Sequence, residues 1–197
     1  MTPTCGATQD AAAVSQSRGH AAEVRRRLTS GDPLERRLAA EELARLADPE
    51  ERLLVEGYRL QEKDTKVRLA LDWALYRMGR GESLFEVVRA LDSGRANQAQ
   101  AYLTQIEDPA SLDLFLARTK GNTQIKLLQV LAHVGNAETI PRIEPLAASP
   151  DPLVAEAAKA AARDISARLA EEPSAAPAQT RPREVRGEEQ KSGDPTP

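Results

Sequence analysis

Two pairs of charged residues offer the clearest chemistry in the sequence. Asp32 precedes Arg36 by four residues, and Asp64 precedes Arg68 by four, which is about one turn of a helix. Each pair is suited to clamping an anionic ligand such as a carboxylate. The interpretation that we favour is structural: each aspartate caps the start of a helix and pairs with a neighbouring arginine, which gives a ladder between successive helices.

A small aromatic group is the best candidate for a binding surface. Trp73 is the only tryptophan, and Leu69 and Tyr76 lie four and three residues from it on the same helical face, with Asp72 and Arg77 beside them. Tryptophan and tyrosine are enriched at binding hot spots. We therefore expect replacement of Trp73 by alanine to weaken partner binding and to leave the helices intact. The alternative is that the helices predicted at 50–61 and 82–91, between the frames, cover this group, which makes it ordinary core.

Other reactive side chains form no recognisable site in the sequence. His20 and His133 are far apart and have no cysteine at a metal-binding spacing, and Cys5 has no base near it in the sequence. The chain has no G-x-S-x-G, Walker or dinucleotide-binding glycine pattern. We therefore predict no catalytic residue, metal or cofactor.

The composition favours an all-α fold. Aromatic residues make up only 3% of the 197 residues, while the hydrophobic fraction is 41% and is rich in alanine and leucine. The net charge of −3 argues against a general nucleic-acid-binding protein. No apolar run approaches the roughly 18 residues that span a bilayer.

The two ends of the sequence differ from its middle. Residues 1–20 are predicted to be a disordered leader without a signal peptide, and residues 170–197, rich in proline and charge, a disordered tail. The single cysteine is compatible with a cytoplasmic location. Cys5 followed by Gly6 leaves open a lipid-anchored envelope protein, although no lipobox precedes it.

The middle of the chain, residues 21–169, contains a repeated pattern. Five frames begin at residues 32, 64, 92, 120 and 151, at spacings of 32, 28, 28 and 31. Apolar residues recur 7, 11 and 14 residues after each start, which is one stripe of an amphipathic helix. At the first of these positions stand Ala39, Leu71, Ala99, Leu127 and Ala158.

A second helix is predicted between successive frames. The expected segments are 21–29, 50–61, 82–91, 109–118 and 137–147, separated by turn signals such as Gly31-Asp32-Pro33 and Asp108-Pro109. The resulting unit is a helical hairpin, repeated about five times. Small residues at the first stripe position let the helices approach closely.

The frame that begins at Asp64 resembles the second helix of a HEAT repeat. Val67-Arg68, Ala70-Leu71, Ala74-Leu75 and Met78-Gly79 follow the pattern of short bacterial HEAT-like repeats, which are similar to those of phycobilisome lyases. The frames at 32 and 151 are good copies, and those at 92 and 120 are degenerate. The resemblance implies an α-solenoid. A tetratricopeptide array is a second possibility, but its Trp, Gly and Tyr spacing is absent.

The resemblance indicates a fold and says little about function, but in a solenoid the frame helices line the concave face where partners usually bind. We predict a non-enzymatic adaptor or scaffold for a protein or peptide partner. No nucleic-acid partner is expected, and no membrane partner is expected unless Cys5 is lipidated. A bilin lyase subunit and a DNA glycosylase for alkylated bases are the alternatives that HEAT-like families offer. The residues predicted to contact the partner are Arg37, Leu69, Asp72, Trp73, Tyr76, Asn97, Gln100 and Ile125. A merely solvated face fits this mixed row equally well.

Overall fold

The computed structural model describes residues 22–171, and this part of the chain is all-α, with ten helices and no β-strand. The prediction of an all-α fold is confirmed for this range. No helix within it is long and apolar enough to cross a bilayer. The predicted leader and nearly all of the predicted tail lie outside the described residues, as do Cys5 and His20.

The helices alternate as the sequence predicts. One set follows the frame starts: α2 (Pro33–Leu46), α4 (Thr65–Arg77), α6 (Ala96–Leu103), α8 (Gly121–Val134) and α10 (Pro152–Glu171). The other set lies before or between them: α1 (22–28), α3 (Arg52–Gln61), α5 (Leu84–Arg89), α7 (Ala110–Leu116) and α9 (Ile140–Ile143). Short 3₁₀ turns extend the second set at Pro49–Glu51, Gly81–Ser83, Ala90–Asp92 and Glu144–Ala148.

Aspartate caps explain where several of these helices begin. The carboxylate of Asp32 accepts a hydrogen bond from the backbone N–H of Leu34, and that of Asp64 accepts from Lys66 and Val67. Asp92 caps no helix, and α6 begins only at Ala96, four residues later. The degenerate frame at 92 therefore lacks the start signal and yields a shorter helix.

The repeated apolar stripe forms the core. All five residues at the first stripe position are buried, and the next position is buried in the first four frames, at Leu43, Leu75, Leu103 and Leu131. At the third position Leu46 is an exception. It is the last residue of α2 and is 40% exposed.

Successive frame helices pack on one another at both ends of the described chain. Helix α2 lies against α4, and α8 lies against α10. Gly135 allows the second approach, because a Cβ atom there would lie 2.5 Å from the carbonyl oxygen of Leu131 and 2.7 Å from Cδ1 of Ile165. Arg168 fixes the same junction by donating a 2.6 Å hydrogen bond to the carbonyl oxygen of Gly135.

Candidate binding cleft

The predicted aromatic patch is core. Leu69 is 1% exposed and Trp73 is 2% exposed, while Tyr76 is half-buried. The prediction that these side chains form an exposed binding surface is therefore wrong. The alternative left open by the sequence, that other parts of the chain cover them, is what the structure has.

Helix α6 supplies the cover over Trp73. The ring of Tyr102 stacks on the indole with a centroid distance of 5.6 Å and an interplanar angle of 5°. Tyr76 stacks on it at 5.4 Å, and the guanidinium of Arg77 lies 6.0 Å from the ring centroid. The sequence suggested that the helices between the frames would provide this cover, yet a neighbouring frame helix does so.

The hydroxyl of Tyr102 joins α6 to α2. It donates a 2.6 Å hydrogen bond to Oε1 of Glu41 on α2 and accepts a 2.7 Å bond from Nε2 of Gln98 on α6. Burial raises the pKa of Tyr102, so the phenol keeps the proton that it donates. The side chain of Tyr102 on α6 therefore contacts two other frame helices, through Glu41 on α2 and Trp73 on α4. Glu41 also forms an ion pair with Arg37, with 3.2 Å between Oε1 and a guanidinium nitrogen.

A cleft of about 590 Å³ opens beside this contact, at the N-terminal ends of α2, α4 and α6. Two of the predicted partner-contacting residues, Arg37 and Asn97, line it. Gln100 and Ile125 are half-buried and do not, and Ile125 packs against the core. The full lining is Asp32, Pro33, Leu34, Arg37, Asp64, Lys66, Gly94, Arg95, Asn97 and Gln98.

The two aspartates of the cleft accept hydrogen bonds from backbone N–H groups, whereas Lys66 and Arg95 keep N–H groups that can bind a ligand. Asp32 and Asp64 accept from the helix N–H groups that they cap. Lys66 is exposed, and Arg95 donates one hydrogen bond of 3.1 Å to the carbonyl oxygen of Thr65. Leu34, 52% exposed, adds an apolar side chain at the rim. The cleft thus combines hydrogen-bond donors, positive charge and one apolar anchor.

The wall of the cleft is tied together by side-chain bonds to backbone. Nε2 of Gln98 donates 2.9 Å to the carbonyl oxygen of Lys66, which links α6 to the first turn of α4. The bond from Arg95 to Thr65 makes a second link between the same segments. A surface that is already ordered loses less conformational entropy on binding, so this wall is suited to recognition.

Asp72, also predicted to contact the partner, is buried on another side of α4. Its carboxylate is 7% exposed and accepts a 2.6 Å ion pair from Nε of Arg59 on α3. Burial raises the pKa of Asp72 even though Arg59 opposes this effect. Asp72 therefore does not share the first cleft with Arg37 and Asn97.

Of the predicted Asp–Arg ladder, the described residues show the aspartate caps but not the pairing of these aspartates with arginine. Asp32 and Asp64 cap their helices, as predicted, but Arg36 pairs with Glu62 rather than with an aspartate. The guanidinium makes two bonds to the carboxylate of Glu62, of 2.8 Å and 3.0 Å, and holds the pKa of Glu62 below its usual value. The pairing joins α2 to the turn that precedes α4.

His133, the one described histidine, is exposed, and its Nδ1 lies 2.8 Å from the carbonyl oxygen of Gln129. Between residues 22 and 171 no group of three or more His, Cys, Asp or Glu side chains is arranged to hold a metal ion.

The sequence did not point to Lys66, Arg95 and Gln98, which line the cleft, or to Tyr102, which lies beside it. One signal for Tyr102 was present. The chain has only three tyrosines and one tryptophan, and two of those tyrosines fall with Trp73 in adjacent frame helices. The contribution of Gln98 depends on how α6 meets α4, which the repeat pattern does not encode.

Comparison of the chain with protein-family models, with curated proteins and with solved structures gave no match. The function is therefore argued from the geometry of the cleft.

Proposed function

We propose that the described helices form a short HEAT-like solenoid that acts as a non-enzymatic binding module in the cytoplasm. Its ligand is an extended peptide segment of a protein partner, held in the cleft at the N-terminal ends of α2, α4 and α6. The observation that carries the proposal is the cleft itself: about 590 Å³, lined by three frame helices and supported by a buried aromatic cluster.

The chemistry of the lining fits a peptide better than a rigid apolar ligand. Asn97 and Lys66 present exposed groups that can donate hydrogen bonds to peptide carbonyls. Leu34 offers apolar contact to one side chain of the ligand. The order imposed by Gln98 and Arg95 on the wall lowers the entropic cost of binding.

The glycosylase alternative gains no support from Trp73 or Asp72, the two residues that the sequence offered for it. A flipped base needs an accessible aromatic face to stack on, and the only tryptophan is 2% exposed. The buried carboxylate of Asp72 is already bonded to Arg59. The cleft therefore supports the adaptor role better than the glycosylase.

Selection of short random peptides on the full chain tests the proposal. Selected peptides should shift backbone NMR resonances around Lys66 and Asn97. Two variants alter the cleft: Lys66→Glu reverses an exposed charge, and Asn97→Trp fills the space. We expect Lys66→Glu to weaken binding at least about tenfold, the loss expected when a hydrogen bond to a charged group is removed. Asn97→Trp should weaken binding because the indole occupies the space of the peptide.

Lys159→Glu is the matched control, because Lys159 is an exposed lysine on α10. It should bind the peptides as the natural sequence does. Peptides that bind Lys66→Glu and Asn97→Trp as tightly as the natural sequence, or that shift resonances only elsewhere, would refute the proposed function.

A further inference from the structure

A second cleft, also of about 590 Å³, adjoins the first and is rich in arginine. Arg95 is the one residue that lines both clefts. Helices α3, α4 and α5 and the segment before α6 contribute its walls. The lining residues are Arg59, Arg68, Asp72, Glu86, Arg89, Asp92, Ser93 and Arg95.

Two of the four guanidinium groups have no partner among the described residues. Arg59 is paired with Asp72, and Arg95 donates to a backbone carbonyl. The guanidinium groups of Arg68 and Arg89 form no hydrogen bond or salt bridge with any residue between 22 and 171, and both side chains belong to exposed residues. Arg68 acts on Asp72 only through longer-range electrostatics.

The repeat pattern explains why Arg68 is unpaired. Arg36 lies four residues after its frame start, and its partner Glu62 lies two residues before the next start. Arg68 has the same place in the second frame, but the residue two before the next start is Ala90. The ladder is broken at this step because alanine replaces the acid, so the guanidinium remains available.

The acids of this cleft do not neutralise it. Asp72 is buried against Arg59, and Asp92 accepts a 3.3 Å hydrogen bond from Nδ2 of Asn122. Glu86 is half-buried and interacts electrostatically with Arg59 and Asp72. Four arginines therefore face three acids, of which Asp72 is ion-paired with Arg59 and Asp92 is hydrogen-bonded to Asn122.

From these observations we infer that Arg68 and Arg89 bind the carboxylate or phosphate group of an acidic segment in the protein partner. The inference rests on the proposed function and specifies the chemistry of its ligand. A guanidinium offers paired N–H donors that match the two oxygens of such a group. A polyanionic nucleic acid fits less well, because Glu86 and Asp92 share the cleft and the chain carries a net charge of −3.

The test uses the full chain and the peptides selected on it, in two forms. One form keeps the aspartate and glutamate residues of the peptide, and the other replaces them with asparagine and glutamine. The double variant R68Q/R89Q removes the charges of the two arginines that have no partner among the described residues. The control is R118Q/R163Q, which removes two exposed arginines from outside the cleft.

We expect R68Q/R89Q to bind the acidic peptide at least about tenfold more weakly, whereas it binds the amide peptide as the natural sequence does. The control should bind both peptides normally. Equal affinity of the natural sequence for the two peptides, or an equal loss of both in R68Q/R89Q, would overturn the inference. Tighter binding of a single-stranded DNA oligonucleotide than of the acidic peptide would overturn it in favour of nucleic acid.

This failure is distinguishable from failure of the proposed function. If Lys66→Glu and Asn97→Trp abolish binding while the change from acid to amide has no effect, the first cleft binds peptides and only the inference about charge is wrong. A second readout needs no peptide. Inorganic phosphate should shift the Nε–Hε NMR resonances of Arg68 and Arg89, and unchanged resonances would count against the site.

Discussion

Replacement of Trp73 by alanine separates a binding role from a core role. The side chain is 2% exposed and stacks between Tyr76 and Tyr102 at 5.4 Å and 5.6 Å. Truncating a buried tryptophan costs about 3 to 5 kcal/mol, part of which reflects the cavity left behind. A domain of this size has a free energy of unfolding of about 5 to 15 kcal/mol, so the variant loses a large share of its stability.

The measurement is urea unfolding followed by far-ultraviolet circular dichroism, because the variant has no tryptophan left for fluorescence. Trp73→Phe is the matched control. It keeps an aromatic ring against Tyr102 and should lose less than half as much stability. A change of less than about 1 kcal/mol in Trp73→Ala would refute the core assignment, since a surface substitution has an effect of that size or smaller.

Two acids and two glycines give the remaining predictions. Burial raises the pKa of Asp72, so the contribution of this carboxyl group to stability is present below its ordinary pKa of 3.8 and is lost as pH rises. The natural sequence should therefore lose stability relative to Asp72→Asn between acid and neutral pH. Glu62, whose pKa is lowered, should show the opposite slope: its contribution is present above 4.5 and lost as pH falls, and Glu62→Gln removes it. Urea unfolding at several pH values measures both differences, and slopes of the same sign would contradict the reasoning. Gly135→Ala should lower the free energy of unfolding by about 1 to 3 kcal/mol, because the new methyl group meets Ile165 at 2.7 Å. Gly57 lies within α3, and a Cβ atom there would meet no atom within 4 Å. Gly57→Ala should therefore stabilise the protein by about 0.5 to 1 kcal/mol, seen by calorimetry as a higher midpoint of thermal unfolding. Equal effects of alanine at the two glycines would contradict this reasoning.

The helices could be predicted from sequence because their signals are local. The stripe that begins at Ala39 and Leu71 specifies which face of each frame helix is buried, and aspartate with a following proline marks where helices such as α2 begin. These features need only the helical period and the capping preference of the residue.

The candidate site could be predicted only in part, because it depends on how helices meet. The stripe positions 7, 11 and 14 residues after Asp64 do not include Trp73, so the stripe gave no reason to expect its burial. Tyr102 covers it from another helix, and no pattern within α4 reports this contact. Arg37 and Asn97 could be identified because both lie five residues after a frame start, so the repeat places them in equivalent positions. Arg68 was instead assigned to the ladder, which Ala90 interrupts.

The bond from Tyr102 to Glu41 spans 61 residues of sequence and so bears on how the chain folds. In an array where each hairpin meets only its neighbours, unfolding can proceed one hairpin at a time from either end. A contact from α6 to α2 couples the first three frame helices, so this part of the chain should open in one cooperative step. The slow amide protons of α2, α4 and α6 should then share a common exchange free energy, distinct from that of α10.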